Sequence, residues 1–234
     1  MRAHIEVLKR HAIDFWLARG AVVLIVGLQL LVSTRLTAGP RWLAPFVETA
    51  LLVPLSLGTE WTHRSVKTAK TDAHWEALRT LHRSMRWLAL ALTAIISISN
   101  FGSLVLLIQT LLHGHAGSGR SLLVDAVYIW ATNVIAFALW YWNSDRASPA
   151  ARGLVDDPRP DFLFSNMTTE APGAGDWTPG FVDYLFLSFT NSTALSPADT
   201  QPISQRAKLL MMFEASTSLL TIAIVAARAV NILQ

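Results

Sequence analysis

Residues 181–199 read FVDYLFLSFTNSTALSPAD, a short apolar run that leads into a polar, proline-containing stretch. Predominantly apolar segments of membrane-crossing length lie on both sides, whereas the apolar part, 181–189, is too short to cross a bilayer as a helix. The lengths of these segments are compatible with two positions of residues 181–189 relative to the membrane. The segment either dips into the membrane as a half-helix and turns back, or it lies flat on the membrane surface as a loop helix.

The composition predicts an integral membrane protein. Of the 234 residues, 52% are hydrophobic and 15% are charged, whereas a soluble domain carries about 25% charged residues. The mean hydropathy is +0.39 and the sequence pI is near 9.6. The basic residues cluster beside hydrophobic spans, where membrane orientation explains them, so we expect the lipid bilayer and no nucleic acid as a partner. The lack of cysteine excludes disulfides and thiolate metal sites.

Five hydrophobic spans are predicted, at about 17–36, 42–57, 87–112, 122–142 and 207–233. The second is short and contains Pro45, Glu48 and Pro54. Residues 58–86 are polar and basic, as in a surface helix that leads into the third span. The expected fold is therefore all-α, with five transmembrane helices and a re-entrant half-helix between the fourth and the fifth. Three parts are predicted: an amphipathic N-terminal helix at 1–16, a three-helix membrane region at 17–112, and a pore-like module at 122–234.

The sequence from 183 to 231 resembles, without a gap, the pore helix, filter and inner helix of two-transmembrane bacterial potassium channels. The pore-helix pattern of that family, D-x-x-Y/F-x-S-F, matches Asp183, Phe186, Ser188 and Phe189. The fourth span corresponds to the outer helix by position only, and the first three spans lie outside the resemblance. The ungapped succession favours the placement in which 181–199 dips into the membrane.

The resemblance also implies an altered selectivity filter. The two glycines of the family pattern T-V-G-Y-G-D fall on Ser196 and Ala198, and the aromatic residue between them falls on Pro197. Glycine permits the backbone that points carbonyls at potassium, whereas proline fixes φ near about −65°. Potassium selectivity is therefore not expected, and Asp199 would form an acidic ring that attracts cations. The expected filter and pore-lining residues are Thr193, Ala194, Leu195, Ser196, Pro197, Ala198 and Asp199.

The last span carries the residues that the resemblance assigns to the inner helix. Ser218 stands where the family often has a hinge glycine, and Glu214 and Arg228 fall within the matching pattern. The polar residues Ser216, Thr217 and Thr221 are expected to line the pore. An ionisable group inside a span is costly. Glu214 could pair with pore-helix hydroxyls, sense protonation, or make a packing hydrogen bond behind the filter.

Other polar residues have simpler interpretations. Asn100, Gln109 and Asn133 are expected to hydrogen bond between helices, and Glu48 and Asp125 to lie at the membrane interface. His113 and His115 are expected to be solvated, because no third metal ligand accompanies them. No cofactor and no metal site are predicted. The chain carries no membrane-enzyme motif, so an enzyme is not expected.

The sequence thus predicts a weakly selective cation pore for monovalent cations, assembled as a homotetramer because one chain supplies one pore loop. The alternatives are a non-conducting pore-loop relic that acts as a membrane interaction or sensor protein, and a small transporter. The expected location is the bacterial cytoplasmic membrane. The bias of Lys and Arg places the N-terminus in the cytoplasm, which would make the pore loop enter from the side opposite to that in potassium channels.

Overall fold

The computed structural model describes residues 12–32, 36, 40, 42–66, 72–112, 119–150, 159–168, 177–193 and 200–233. Side chains are described for all of these except 12, 58–66, 72–79, 119 and 228–233. This part of the chain forms six α-helices and two short strands. In chain order they are α1 (Ala12–Leu31), α2 (Leu43–Val66), α3 (Asp72–Leu112), α4 (Gly119–Ser144), β1 (Phe162–Phe164), α5 (Phe181–Ser192), β2 (Thr200–Pro202) and α6 (Gln205–Leu233).

Four helices are long and apolar enough to cross a membrane. Their candidate spans are Ile13–Leu31 in α1, Thr80–Leu112 in α3, Arg120–Ser144 in α4 and Gln205–Ala227 in α6. The apolar part of α2, Leu43–Leu57, is shorter than these spans. The prediction of a helical membrane protein is confirmed, and the structure supports four full-length spans within the described chain. Pro54 lies inside α2 without ending it.

Three features of the secondary structure differ from what the sequence predicts. Residues 12–16 continue into the first span as part of α1, and the predicted amphipathic segment at 1–11 lies outside the described residues. The basic segment before the third span is divided between the end of α2 and the start of α3, which runs without a break for 41 residues. The predicted all-α fold also missed an antiparallel pair of three-residue strands, in which Phe162 pairs with Pro202 and Phe164 with Thr200. Strands this short show no recognisable period-2 pattern.

The helix α4 lies at the centre of the bundle. About 67% of its span is buried within the protein, against 28–33% for the other three candidate spans. It contacts α1, α3, α5 and α6. Its fully buried aromatic residues Phe137, Tyr141 and Trp142 belong to the main hydrophobic core. The outer helices expose large apolar side chains such as Leu24, Ile98 and Leu219, as expected where lipid replaces water.

The two strands mark one end of the bundle, which we call the ribbon end. The end of α4 lies there, since Asp161 N–H, just before β1, donates to Asp145 Oδ1 at 2.8 Å. The start of α6 lies there too, since Ile203 N–H donates to the Asp161 carbonyl at 2.9 Å. Arg86 of α3 reaches the same end, where its Nε donates to the Asn143 carbonyl at 3.0 Å. It thereby satisfies a carbonyl that the end of α4 leaves without a helical partner.

Candidate functional site

The short helix α5 begins at the ribbon end with well-defined N-terminal partners. Gly180 N–H donates to Asp183 Oδ2 at 2.7 Å, and Phe181 N–H donates to Asp14 Oδ1 at 2.9 Å. Carboxylates at these positions satisfy free backbone donors and interact favourably with the positive end of the helix dipole. Asp183, which the resemblance assigned to the pore helix, is thus one of two carboxylates that fix the start of α5. Asp14 comes from the distant helix α1.

From the ribbon end, α5 runs antiparallel to α4 and stops beside the middle of that helix. Near its start, Tyr184 Oη donates to Asp145 Oδ2 at 2.6 Å. One turn further, Ser188 Oγ lies 2.7 Å from the Val134 carbonyl oxygen. Val134 lies ten residues before the end of α4, which corresponds to a depth of about 15 Å along the helix. After α5 the chain returns to the ribbon end, because Thr200 pairs with Phe164 there.

Glu214 of α6 accepts hydrogen bonds from both neighbouring helices. Its carboxyl group is fully buried. Asn191 Nδ2 donates to Glu214 Oε2 at 2.6 Å and Ser192 Oγ donates to Oε1 at 2.9 Å. The hydroxyls of Ser188 and Tyr141 also donate to this carboxyl group. Four donors from α4 and α5 therefore converge on one side chain of α6, as a buried carboxyl requires.

The hydrogen-bonded cluster continues along α6. Ser218 Oγ donates to Ser192 Oγ at 3.0 Å. Asn133 Nδ2 of α4 lies 2.9 Å from Ser218 Oγ and 3.1 Å from Thr217 Oγ1. We call this set the polar cluster: Asn133, Tyr141, Ser188, Asn191, Ser192, Glu214, Thr217 and Ser218. It joins the end of α5 to the middles of α4 and α6, and no Lys or Arg belongs to it.

A second set of polar contacts holds the ribbon end together. Asp161 Oδ1 and Arg146 Nη2 form an ion pair at 3.1 Å, and Asp161 Oδ2 accepts Arg146 Nε at 3.2 Å. Burial alone would raise the pKa of Asp161, but these hydrogen bonds outweigh burial and hold the pKa below its ordinary value. Asp145 is fully buried, and burial raises its pKa despite the hydrogen bonds from Tyr184 and from two backbone N–H groups.

A narrow crevice lies between α3, α4 and α6, with a volume of about 10 Å³. This is room for about one water molecule. Its polar lining includes Ser97, Asn100, Asn133 and Thr217. Asn100 Nδ2 donates to the Ile129 carbonyl at 3.1 Å, so the predicted interhelical bonding of Asn100 and Asn133 is observed. Gln109 is exposed on α3.

The structure describes part of the residues predicted to form the pore, and it places them in different environments. Thr193 directly follows α5, where its Oγ1 donates to the Phe189 carbonyl at 2.9 Å, whereas the other residues of the expected filter, 194–199, lie outside the described residues. Phe186 and Phe189 are 58% and 43% exposed. Ser218 and Thr221 are buried, as is Thr217, while Ser216 is exposed. The side chain of Arg228 is not described.

The burial of Thr217 and Thr221 bears on the expected pore lining. Both hydroxyls also donate to carbonyls of their own helix: Thr217 Oγ1 to Phe213 at 3.0 Å, and Thr221 Oγ1 to Thr217 at 2.8 Å. They face the interior of the single chain, so they are not available to a pathway shared between chains in this arrangement. Among the three predicted lining hydroxyls of α6, only Ser216 is on an exposed face.

Sequence reasoning missed several residues of the site. The sequence predicts no role for Asp14 or Tyr141. Glu48 was expected at the membrane interface, yet it is fully buried. Within the described residues no group of three His, Asp or Glu side chains is arranged to hold a metal. His113 and His115 lie outside those residues.

Comparisons with protein-family models, with curated proteins and with solved structures found no match. The resemblance to the potassium-channel pore family therefore stays a prediction from the residues named above. The function has to be argued from the geometry of α4, α5 and α6.

Proposed function

We propose that this chain forms a weakly selective cation pore as a homotetramer, with the segment between α5 and β2 as a non-standard selectivity filter. The observation that carries the proposal is the path of the chain around α5. This helix starts at the ribbon end, passes Val134 of α4 one turn before its own end at Ser192, and is followed by a strand that is again at the ribbon end. A helix that ends at mid-depth is expected where it serves a permeating solute.

The direction of α5 supports cations over anions. A helix concentrates partial negative charge at its C-terminal carbonyls, and the C-terminal end of α5, near Ser192, is the end at mid-depth. The positive end is held at the ribbon end by Asp14 and Asp183. Asp199, six residues beyond Thr193, adds an acidic group to the returning segment. These features favour cation entry without the glycine-dependent carbonyl geometry that potassium selectivity requires.

The polar cluster gives the half-helix a rigid support. Glu214 of α6 accepts hydrogen bonds from Ser188, Asn191 and Ser192 in the last turns of α5. Ser218 donates to Ser192, and Asn133 of α4 donates in turn to Ser218. A site that must keep a fixed opening benefits from such supporting hydrogen bonds, because they fix the orientation of the residues that line the opening. The exposed apolar face of α5, with Val182, Phe186 and Phe189, is where a neighbouring chain would pack in the tetramer.

Reconstitution into planar bilayers tests the proposal. The purified protein should give currents whose reversal potential, in a salt gradient, favours cations over anions. Asp199→Asn should lower the conductance and the cation preference, whereas Asp157→Asn, in the polar connection before β1, should leave both unchanged. Silent bilayers at a protein density verified by immunoblotting would contradict the proposal.

A second candidate is a non-conducting pore-loop protein that serves as a membrane sensor or interaction protein. The observation that favours it is the inward direction of the α6 polar residues, since Thr217 and Thr221 are buried inside the single chain. An image of the assembled oligomer along its symmetry axis separates the two candidates. Apolar side chains of Leu195 and Pro197 that close the axis without water would favour the non-conducting protein.

A further inference from the structure

Glu48 of α2 is a buried carboxyl group that the proposed pore does not use. Its side chain is fully buried, in the apolar part of α2 against α1. Gln29 of α1 donates from Nε2 to Glu48 Oε1 at 3.0 Å. Two side-chain atoms of this pair have no hydrogen-bond partner in the described structure: Glu48 Oε2 and Gln29 Oε1.

The two atoms without partners are complementary to each other if the carboxyl group carries a proton. A primary amide offers one donor and one acceptor along its edge, and a neutral carboxyl group offers the same pair in reverse. With a proton on Oε2, Glu48 can donate to Gln29 Oε1 while it accepts from Gln29 Nε2. Both groups would then be satisfied by a single reciprocal pair.

If Glu48 is ionised, its carboxylate cannot form this reciprocal pair of hydrogen bonds with Gln29. A buried carboxylate needs several donors or a cation, and Glu48 has one amide donor. The candidate span of α1 from residue 20 onwards contains no ionisable residue, and α3 contains none between 87 and 112. Within the apolar part of α2, Glu48 is the single ionisable residue. The charged residues of α1 at 14 and 19 are ten or more residues from Gln29, about 15 Å along the helix.

We infer that Glu48 and Gln29 form an intramembrane proton-binding site that joins α1 to α2. The bound proton is held between the carboxyl group and the amide and closes the reciprocal pair. The folded state keeps the proton at a pH where the unfolded chain has already released it, so the contribution of the pair to stability is largest at low pH. This stabilisation is lost as the pH rises through the ionisation of the buried group.

Infrared difference spectroscopy tests the protonation directly. The wild-type spectrum minus that of Glu48→Gln, measured in detergent at neutral pH, should contain the carbonyl stretch of a neutral carboxylic acid, which shifts in D2O. Glu214→Gln provides the matched comparison, because it removes another fully buried glutamate carboxyl group and should leave the Glu48 band unchanged. A difference spectrum that contains only carboxylate bands at Glu48 would overturn the inference.

Thermal unfolding in detergent gives an independent readout. The wild-type melting temperature should fall as the pH is raised, whereas that of Glu48→Gln, which keeps a neutral donor and acceptor, should be less dependent on pH. Glu48→Leu should melt at a lower temperature than Glu48→Gln because it leaves the Gln29 amide without a partner.

A change of the source of the bound charge gives a further control. If the infrared band or the melting temperature of the wild type responds to Na⁺ at constant pH, and not to choline, the site binds a metal cation and the inference of a proton-binding site is refuted. Thr49→Ala, at an exposed neighbouring position, should behave as wild type.

Discussion

Ser192, at the last turn of α5, and Ser218, in the middle of α6, are hydrogen bonded through their side-chain oxygens at 3.0 Å. Both are buried. This contact links the middle of α6 to the end of α5. The end of α5 and the middle of α6 are therefore expected to move together.

Glu214 should be the most important single side chain for the packing of α5. Glu214→Ala leaves the hydroxyls of Tyr141 and Ser192, and one N–H group of the Asn191 amide, without their carboxyl acceptor. Each buried donor left unsatisfied costs about 1–3 kcal/mol, so we expect a loss of at least about 3 kcal/mol in the free energy of unfolding. Reversible denaturation in detergent measures it. Ser216→Ala, at an exposed position two residues away, should change it little, and equal effects of the two substitutions would contradict this role.

The start of α5 depends on the close approach of Gly180 to Asp14. A Cβ at position 180 would lie 2.7 Å from Asp14 Oδ1, so Gly180→Ala must displace the carboxylate that accepts Phe181 N–H. We expect a loss of about 1 kcal/mol, the usual cost of a helix cap. At Gly102, within α3, an added Cβ would meet no atom within 4 Å, and Gly102→Ala should raise stability by about 0.5–1 kcal/mol through helix propensity. Melting temperatures of the two variants should therefore shift in opposite directions.

The ion pair of Asp161 and Arg146 should contribute an acid-sensitive part of the stability. The pKa of Asp161 in the folded protein is lower than its ordinary value of 3.8. A group with a lowered pKa stabilises the folded state above its unfolded pKa, and this stability is lost as the pH falls below about 4. Asp161→Asn should be less stable than wild type at neutral pH, and the difference should shrink on acidification. Unfolding measured from pH 6 to pH 3 in detergent checks the trend, and a difference that grows towards low pH would refute it.

Arg86 should stabilise the C-terminal end of α4 through its bonds to backbone carbonyls. Its Nε lies 3.0 Å from the Asn143 carbonyl and its Nη2 lies 3.5 Å from that of Ser144. Hydrogen bonds from a charged donor contribute about 1.5–3 kcal/mol, so Arg86→Met should cost an amount in that range, and Arg86→Lys less. Arg83→Met, at an exposed position on the same helix, should be close to neutral. Hydrogen exchange at the amides of the last turn of α4 should increase only in the Arg86 variants.

The sequence predicted the long helices well because each contains an uncharged run that only a bilayer or a core can accommodate. It predicted Asn100 and Asn133 as interhelical partners for the same reason, since a polar amide inside a span needs an acceptor. It also marked Glu214 as costly, and pairing with pore-helix hydroxyls was one of the interpretations it offered. The sequence did not predict that Glu48 is buried against Gln29, because the packing of α2 against α1 decides whether a carboxyl group near the end of a short span is covered.

What the sequence by itself determined is the helical membrane character of the chain and the polar positions that interrupt its apolar runs, because both follow from the cost of placing charge and free backbone groups in hydrocarbon. What only the tertiary structure decided is which polar groups meet. The pairing of Asp14 with Phe181, of Glu214 with Ser188 and Tyr141, and of Phe162 with Pro202 joins residues 26 to 167 positions apart or three-residue strands. Such contacts leave no local periodicity, since they are set by the docking of whole helices against α4.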